Sequence, residues 1–185
     1  AGTAATGKLT IGALGTDAAG VGTTFTFGLK APADSTDDEI QITGTAGATL
    51  KGVVNVSDAG GFAAGTYVLM TYTGANPADA LVAGTMPPGF AGDVQVSGNQ
   101  VTLVVTPITT YVWKGTGTET APTSGNWDTA TNWTGGVPAS GTSTALSFGG
   151  RGAETYTAPN NLLAPLPLEM ARMQVNSTSS AAAIL

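Results

Sequence analysis

An all-β fold whose strands stack as a β-solenoid is what this 185-residue sequence predicts. Three observations lead there. Short runs alternate apolar and polar residues between Gly, Asn and Ser, the pattern of strands in tight succession. The runs recur every dozen residues or so, too closely for helical crossovers, and Gly interrupts every candidate helix. Inward positions carry single apolar residues between small ones, and the turns vary in length, as a narrow stacked core requires. The alternative on the same residues is a β-sandwich of Greek-key type.

Taken in order, Lys8–Leu14 alternates Leu9 and Ile11 and shifts phase after Gly12. Gly15–Gly22 is a loop of small residues. Thr23–Leu29 puts Phe25, Phe27 and Leu29 on one face and Thr24, Thr26 and Gly28 on the other, a half-buried strand. Ala31–Glu39 is a polar loop, and Ile40–Ile42 is a short strand ended by Gly44. Leu50, Gly52, Val54 and Val56 alternate again, and Asp58–Gly61 closes that strand as a turn. Tyr67–Tyr72 lies between Gly65 and Gly74. After a loop come Asp93–Val96 and Val101–Val105, separated by Ser97, Gly98 and Asn99. Pro165–Met173 is nearest to helical composition, yet Leu166, Leu168, Met170 and Met173 also permit a strand.

Composition excludes several functions. Charged residues are 10% of the chain, Lys+Arg number 6 and the net charge is −6. That opposes nucleic acid, whose phosphates need clustered Lys and Arg, and an anionic membrane surface. No apolar run approaches the roughly 18 residues of a membrane span, so membrane insertion is not expected. His and Cys are both absent. Disulfides, thiol nucleophiles, Cys/His zinc sites and a Ser-His-Asp triad are therefore excluded. The chain begins without a basic segment and an apolar core, so any export signal has been removed or the chain is an internal piece.

Several stretches carry a family likeness. They are Gly7–Gly15, Phe25–Leu29, Asp38–Gly44 and Leu50–Gly74, then Met86–Phe90 (MPPGF), Gln100–Thr106 (QVTLVVT) and the junction Val112–Gly150 with its NWDTATNW core. Their order resembles the autotransporter-associated β-strand repeat proteins of bacterial surfaces. The resemblance implies a right-handed parallel β-helix, secreted or displayed at the cell surface and without catalysis. It implies a repeat block over residues 1–110. Residues 111–185 would form a Trp-containing junction and the start of the next block.

Candidate sites are few. Tyr111, Trp113, Trp127 and Trp133 gather in the junction. Exposed aromatic faces stack on sugar rings, which makes these four the candidate glycan contacts; buried, they plug the core instead. The acidic loop Asp34, Asp37, Asp38, Glu39 lacks calcium-loop spacing and reads as a solvated loop. Asp93, Glu119, Asp128 and Glu154 are scattered and form no pair for sugar cleavage. No catalytic, cofactor or metal residue is assigned, and an enzyme is not expected. Asn55, Asn132 and Asn176 head acceptor tripeptides for N-glycosylation. The functional expectation is an extracellular structural segment of a fibre, stalk or filament. It would self-associate through strand edges, with Ala1–Thr6 and Ala181–Leu185 as the joining ends. The alternative is an adhesin or glycan-binding module at the cell surface, using the Trp/Tyr junction.

Overall fold

A computed structural model describes residues 7–14, 23–32, 34–45, 49–149, 156–160 and 170–175. The described residues form strands and one short 3-10 turn. The chain divides into two compact units, Ala1–Pro107 and Ile108–Leu185.

The first unit holds β1 (Lys8–Ile11), β2 (Thr24–Leu29), β3 (Glu39–Thr45), β4 (Thr49–Asp58), β5 (Gly65–Thr73), β6 (Ala78–Ala83), β7 (Phe90–Ser97) and β8 (Gln100–Pro107). They build two sheets, a five-stranded one in the order β1-β3-β5-β8-β7 and a three-stranded one in the order β2-β4-β6. From β1 to β6 the chain crosses between the sheets at every connection. Within each sheet these strands pair in parallel. Period-2 patterning dictates which residues point inward. Leu50, Val54 and Val56 of β4, Phe27 and Leu29 of β2 and Leu81 of β6 meet Ile42, Tyr67, Leu69, Val101, Leu103 and Val105 of the larger sheet in one buried cluster.

The expected right-handed parallel β-helix does not form. The described strands make three separate sheets, each running from one outer strand to another, and none closes on itself. The largest is mixed, because β8 pairs antiparallel with both β5 and β7. The cause is local. Gly98 and Asn99 take φ of 55° and 64°, the left-handed pair of a two-residue hairpin turn, and such a turn only joins antiparallel strands. Asn99 then locks the turn to β5, accepting from the Tyr72 N–H at 3.1 Å and donating from Nδ2 to the Tyr72 carbonyl at 3.3 Å. With β8 covering β5, that parallel stack ends after three strands. Two open sheets over a shared core make a sandwich-like unit, the alternative architecture. The autotransporter-type resemblance implies a continuous coil and the fibre, stalk or filament role needs one, and the separate open sheets overturn both.

Other readings shift in detail. β6 falls in the stretch that reads as loop, because Ala78–Ala83 carries only Leu81 and Val82 as large apolar residues. Met170–Val175 is a strand, paired in parallel with Gly141–Phe148. Ala1–Thr6 and Ala181–Leu185 lie outside the described residues. Among those described, no helix is long and apolar enough to cross a membrane.

Tyr67 ties the unit together. Its ring stacks on Phe62 at 5.3 Å, and Phe62 meets Phe90 edge-on at 5.1 Å. The phenol oxygen accepts from the Ala63 N–H at 3.1 Å and lies within donating distance of the Lys30 and Ala63 carbonyls. Burial raises the phenol's pKa above its ordinary value. Replacing Tyr67 by Phe keeps the stack and strands these partly buried partners. It is expected to cost about 1–3 kcal/mol in denaturant unfolding; an unchanged midpoint would show that the hydroxyl holds nothing.

Candidate functional site: the aromatic junction

The second unit holds β9 (Thr109–Trp113), the 3-10 turn Ala130–Asn132, β10 (Trp133–Thr134), β11 (Gly141–Phe148) and β12 (Met170–Val175). Its sheet runs β10-β9-β11-β12. Register gathers the aromatics. Trp113 lies opposite Trp133 across β9 and β10, and opposite Phe148 across β9 and β11.

Trp133 sits at the middle of the resulting cluster. Its ring meets Trp113 at 4.9 Å, Trp127 at 5.5 Å and Phe148 at 5.5 Å, all near edge-on, the arrangement the ring quadrupoles favour. Trp133 Nε1 donates to the Trp127 carbonyl at 3.0 Å, and Trp113 Nε1 donates to the Thr123 carbonyl at 3.1 Å. Asn132 is buried beside them, with Nδ2 donating to the Asn126 carbonyl at 2.9 Å. Trp127 Nε1 and Asn132 Oδ1 are buried without a hydrogen bond. Each such atom costs about 1–3 kcal/mol, which burial of large aromatic rings outweighs.

The four sequence candidates therefore divide. Trp113, Trp127 and Trp133 are 0%, 3% and 2% exposed. Their faces are covered by one another and by Phe148, so they plug the core and offer no sugar platform. Tyr111 is half-buried, packed on the rim of the cluster. Gly135 leaves bare backbone against the Tyr111 ring: a Cβ there would stand 3.3 Å from Tyr111 Cδ1. In the chain, exposed Thr110 precedes Tyr111, and exposed Thr134 and Val137 lie on either side of Gly135. Sequence reasoning saw the aromatic spacing. The deciding signal was the strand register, which only pairing supplies.

The carboxylates are taken up locally. Asp34 Oδ1 accepts from Thr36 N–H and Oγ1, which lowers its pKa. Asp58 Oδ1 accepts from the Gly60 N–H at 2.7 Å. Asp93 accepts from Gln95 Nε2 at 2.9 Å, Asp128 from the Thr129 hydroxyl, and Glu119 from the Thr134 hydroxyl. Glu154 lies outside the described residues. No group of three or more acidic side chains placed to hold a metal occurs among those described. Asn132 Nδ2 is committed inside the core, and Asn55 Oδ1, on β4, accepts from the Thr85 N–H just beyond β6 at 2.8 Å. Asn176 lies outside the described residues. No family model, curated protein or solved structure matches this chain.

Two outcomes are expected. Trp133→Ala empties the middle of the cluster and should cost about 3–5 kcal/mol in unfolding of the second unit; a loss under about 1 kcal/mol would contradict a plug. Burial, then the charges of Asp34 and Asp38, raise the Asp37 carboxyl above its ordinary 3.8, against the Lys30 N–H bond that lowers it. A raised folded pKa means the folded state holds the proton more tightly, so this stabilisation is complete in acid and lost as pH rises through the folded pKa. Asp37→Asn keeps an acceptor for Lys30 N–H and stays neutral. Its melting temperature relative to the parent should rise as pH climbs from below 3.8 through the raised folded pKa; a constant difference would remove the effect.

Proposed function

We propose that the chain is a non-catalytic recognition module that binds neutral carbohydrate at the rim of the aromatic junction. The observation that carries it is Tyr111, a partly open ring seated on a fully buried cluster. Such a ring is held in place before binding, so little conformational freedom is lost when a ligand stacks on it. Gly135 packs bare backbone against the ring and helps hold it in place. A chain with 10% charged residues and a net charge of −6 favours an uncharged ligand over a phosphate or uronate. A cysteine-free chain with scarce charge fits exposure outside the cell, where free glycans are met.

The roles differ from those first assigned by sequence. Tyr111 is the contact, and Trp113, Trp127 and Trp133 hold it there. Electrophoresis through gels containing neutral polysaccharides tests the division. The parent protein should be retarded by at least one of them, and Tyr111→Ala should weaken that retention by about tenfold with an unchanged melt. Equal retention of parent and variant would move the site elsewhere, and no retention in any neutral polysaccharide would end the proposal.

A further inference from the structure

β2 is an outer strand of its sheet. An outer strand offers a row of backbone groups to any strand that approaches. The carbonyls of Thr23 and Leu29 accept from Val53 and Ala59 on the β4 side. Ladder alternation turns Thr24, Thr26 and Gly28 the other way. The strand itself, TFTFGL, has no charge and no proline, so the usual protections of a strand edge are missing from it.

Asp38 supplies one from outside. Its backbone N–H donates to the Gly28 carbonyl at 3.1 Å, and its Oδ2 accepts from the Gly28 N–H at 2.6 Å. Both outward groups of Gly28 are thus taken by one residue. The second oxygen, Oδ1, accepts from the Gly7 N–H at 2.6 Å, next to a Glu39 N–H bond to the Gly7 carbonyl. The loop behind is braced by the Lys30 N–H bond to Asp37 Oδ1 at 2.5 Å. A carboxylate accepting from two backbone amides makes stronger bonds than neutral groups do.

We propose that Asp38 is an edge guard, whose carboxylate prevents a second copy of this chain from adding a strand to β2. The fitting occupant is β6 of that copy. β2, β4 and β6 pair in parallel with Thr24, Val53 and Val82 in register, and β6 is the opposite outer strand of the same sheet. A second copy placed in the same parallel spacing continues the ladder without a new geometry. Val82, 58% exposed, would gain cover. The guard is independent of the carbohydrate reading.

Sedimentation velocity over a concentration series of the full chain tests it. Asp38→Ala should associate at concentrations about tenfold or more below those the parent needs, with faster hydrogen exchange at the Gly28 amide. Asp38→Asn, which keeps an acceptor for only one of the two amides, should fall between them and serves where the Ala variant folds poorly. Val101→Ala, a core change on β8 in the other sheet, should associate no more than the parent. The proposal is overturned if both Asp38 variants behave as the parent, or if Val101→Ala associates as readily as they do.

Discussion

Burial of one inward row of side chains is the constraint on which the first unit depends. A fully buried Leu, Val or Phe contributes about 1.5–3 kcal/mol, and the cluster between the two sheets contains many. Electrostatics is small beside it. The ion pair Lys8–Glu39, 3.0 Å apart and 46% and 22% exposed, is a partly solvated surface contact, of the kind worth about 0–1 kcal/mol. A chain this poor in charge must satisfy its backbone by strand pairing and its side chains by packing. Crossing between sheets at each connection does both, since each new strand extends a ladder and adds to the shared core.

The same economy turns the junction tryptophans into structure. Strand register places Trp113, Trp133 and Phe148 within ring contact, and Trp127 closes the group from a loop. Three large side chains that sequence alone offers as ligand contacts are spent on rigidity. What reaches the surface is Tyr111, with the stiffness of the cluster behind it. The polar groups follow suit: carboxylates that a search for catalysis would single out brace turns and edges.

Much of the strand content was legible. Thr23–Leu29 and Leu50–Val56 alternate in the strand period, Tyr67–Tyr72 and Val101–Val105 are short apolar runs, and all four fold as strands. Their partners were not legible, because parallel and antiparallel neighbours ask for the same alternation. One clue was present: Gly98–Asn99 is short enough to force a hairpin, and a hairpin ends a parallel stack. β6 escaped because Ala-rich strands lack the apolar rhythm, and its place is set by β4 beside it. At the site, the four aromatics could be found by spacing, while their division into plug and rim depends on which faces register buries. Asp38 looked like one acid among four in a wet loop. Its role follows from the long-range pairing that sets Gly7 and Gly28 on either side of it.

The most direct measurement is a nitrogen–proton NMR titration of the intact chain with the oligosaccharide counterpart of whichever neutral polysaccharide retains it. Shifts confined to the backbone amides around Tyr111 and Thr134, with the indole N–H signals of Trp113 and Trp133 held still, are the predicted result. Perturbation centred in the first unit, or all three indole signals moving together as the cluster opens, would contradict a rigid plug carrying a recognising rim.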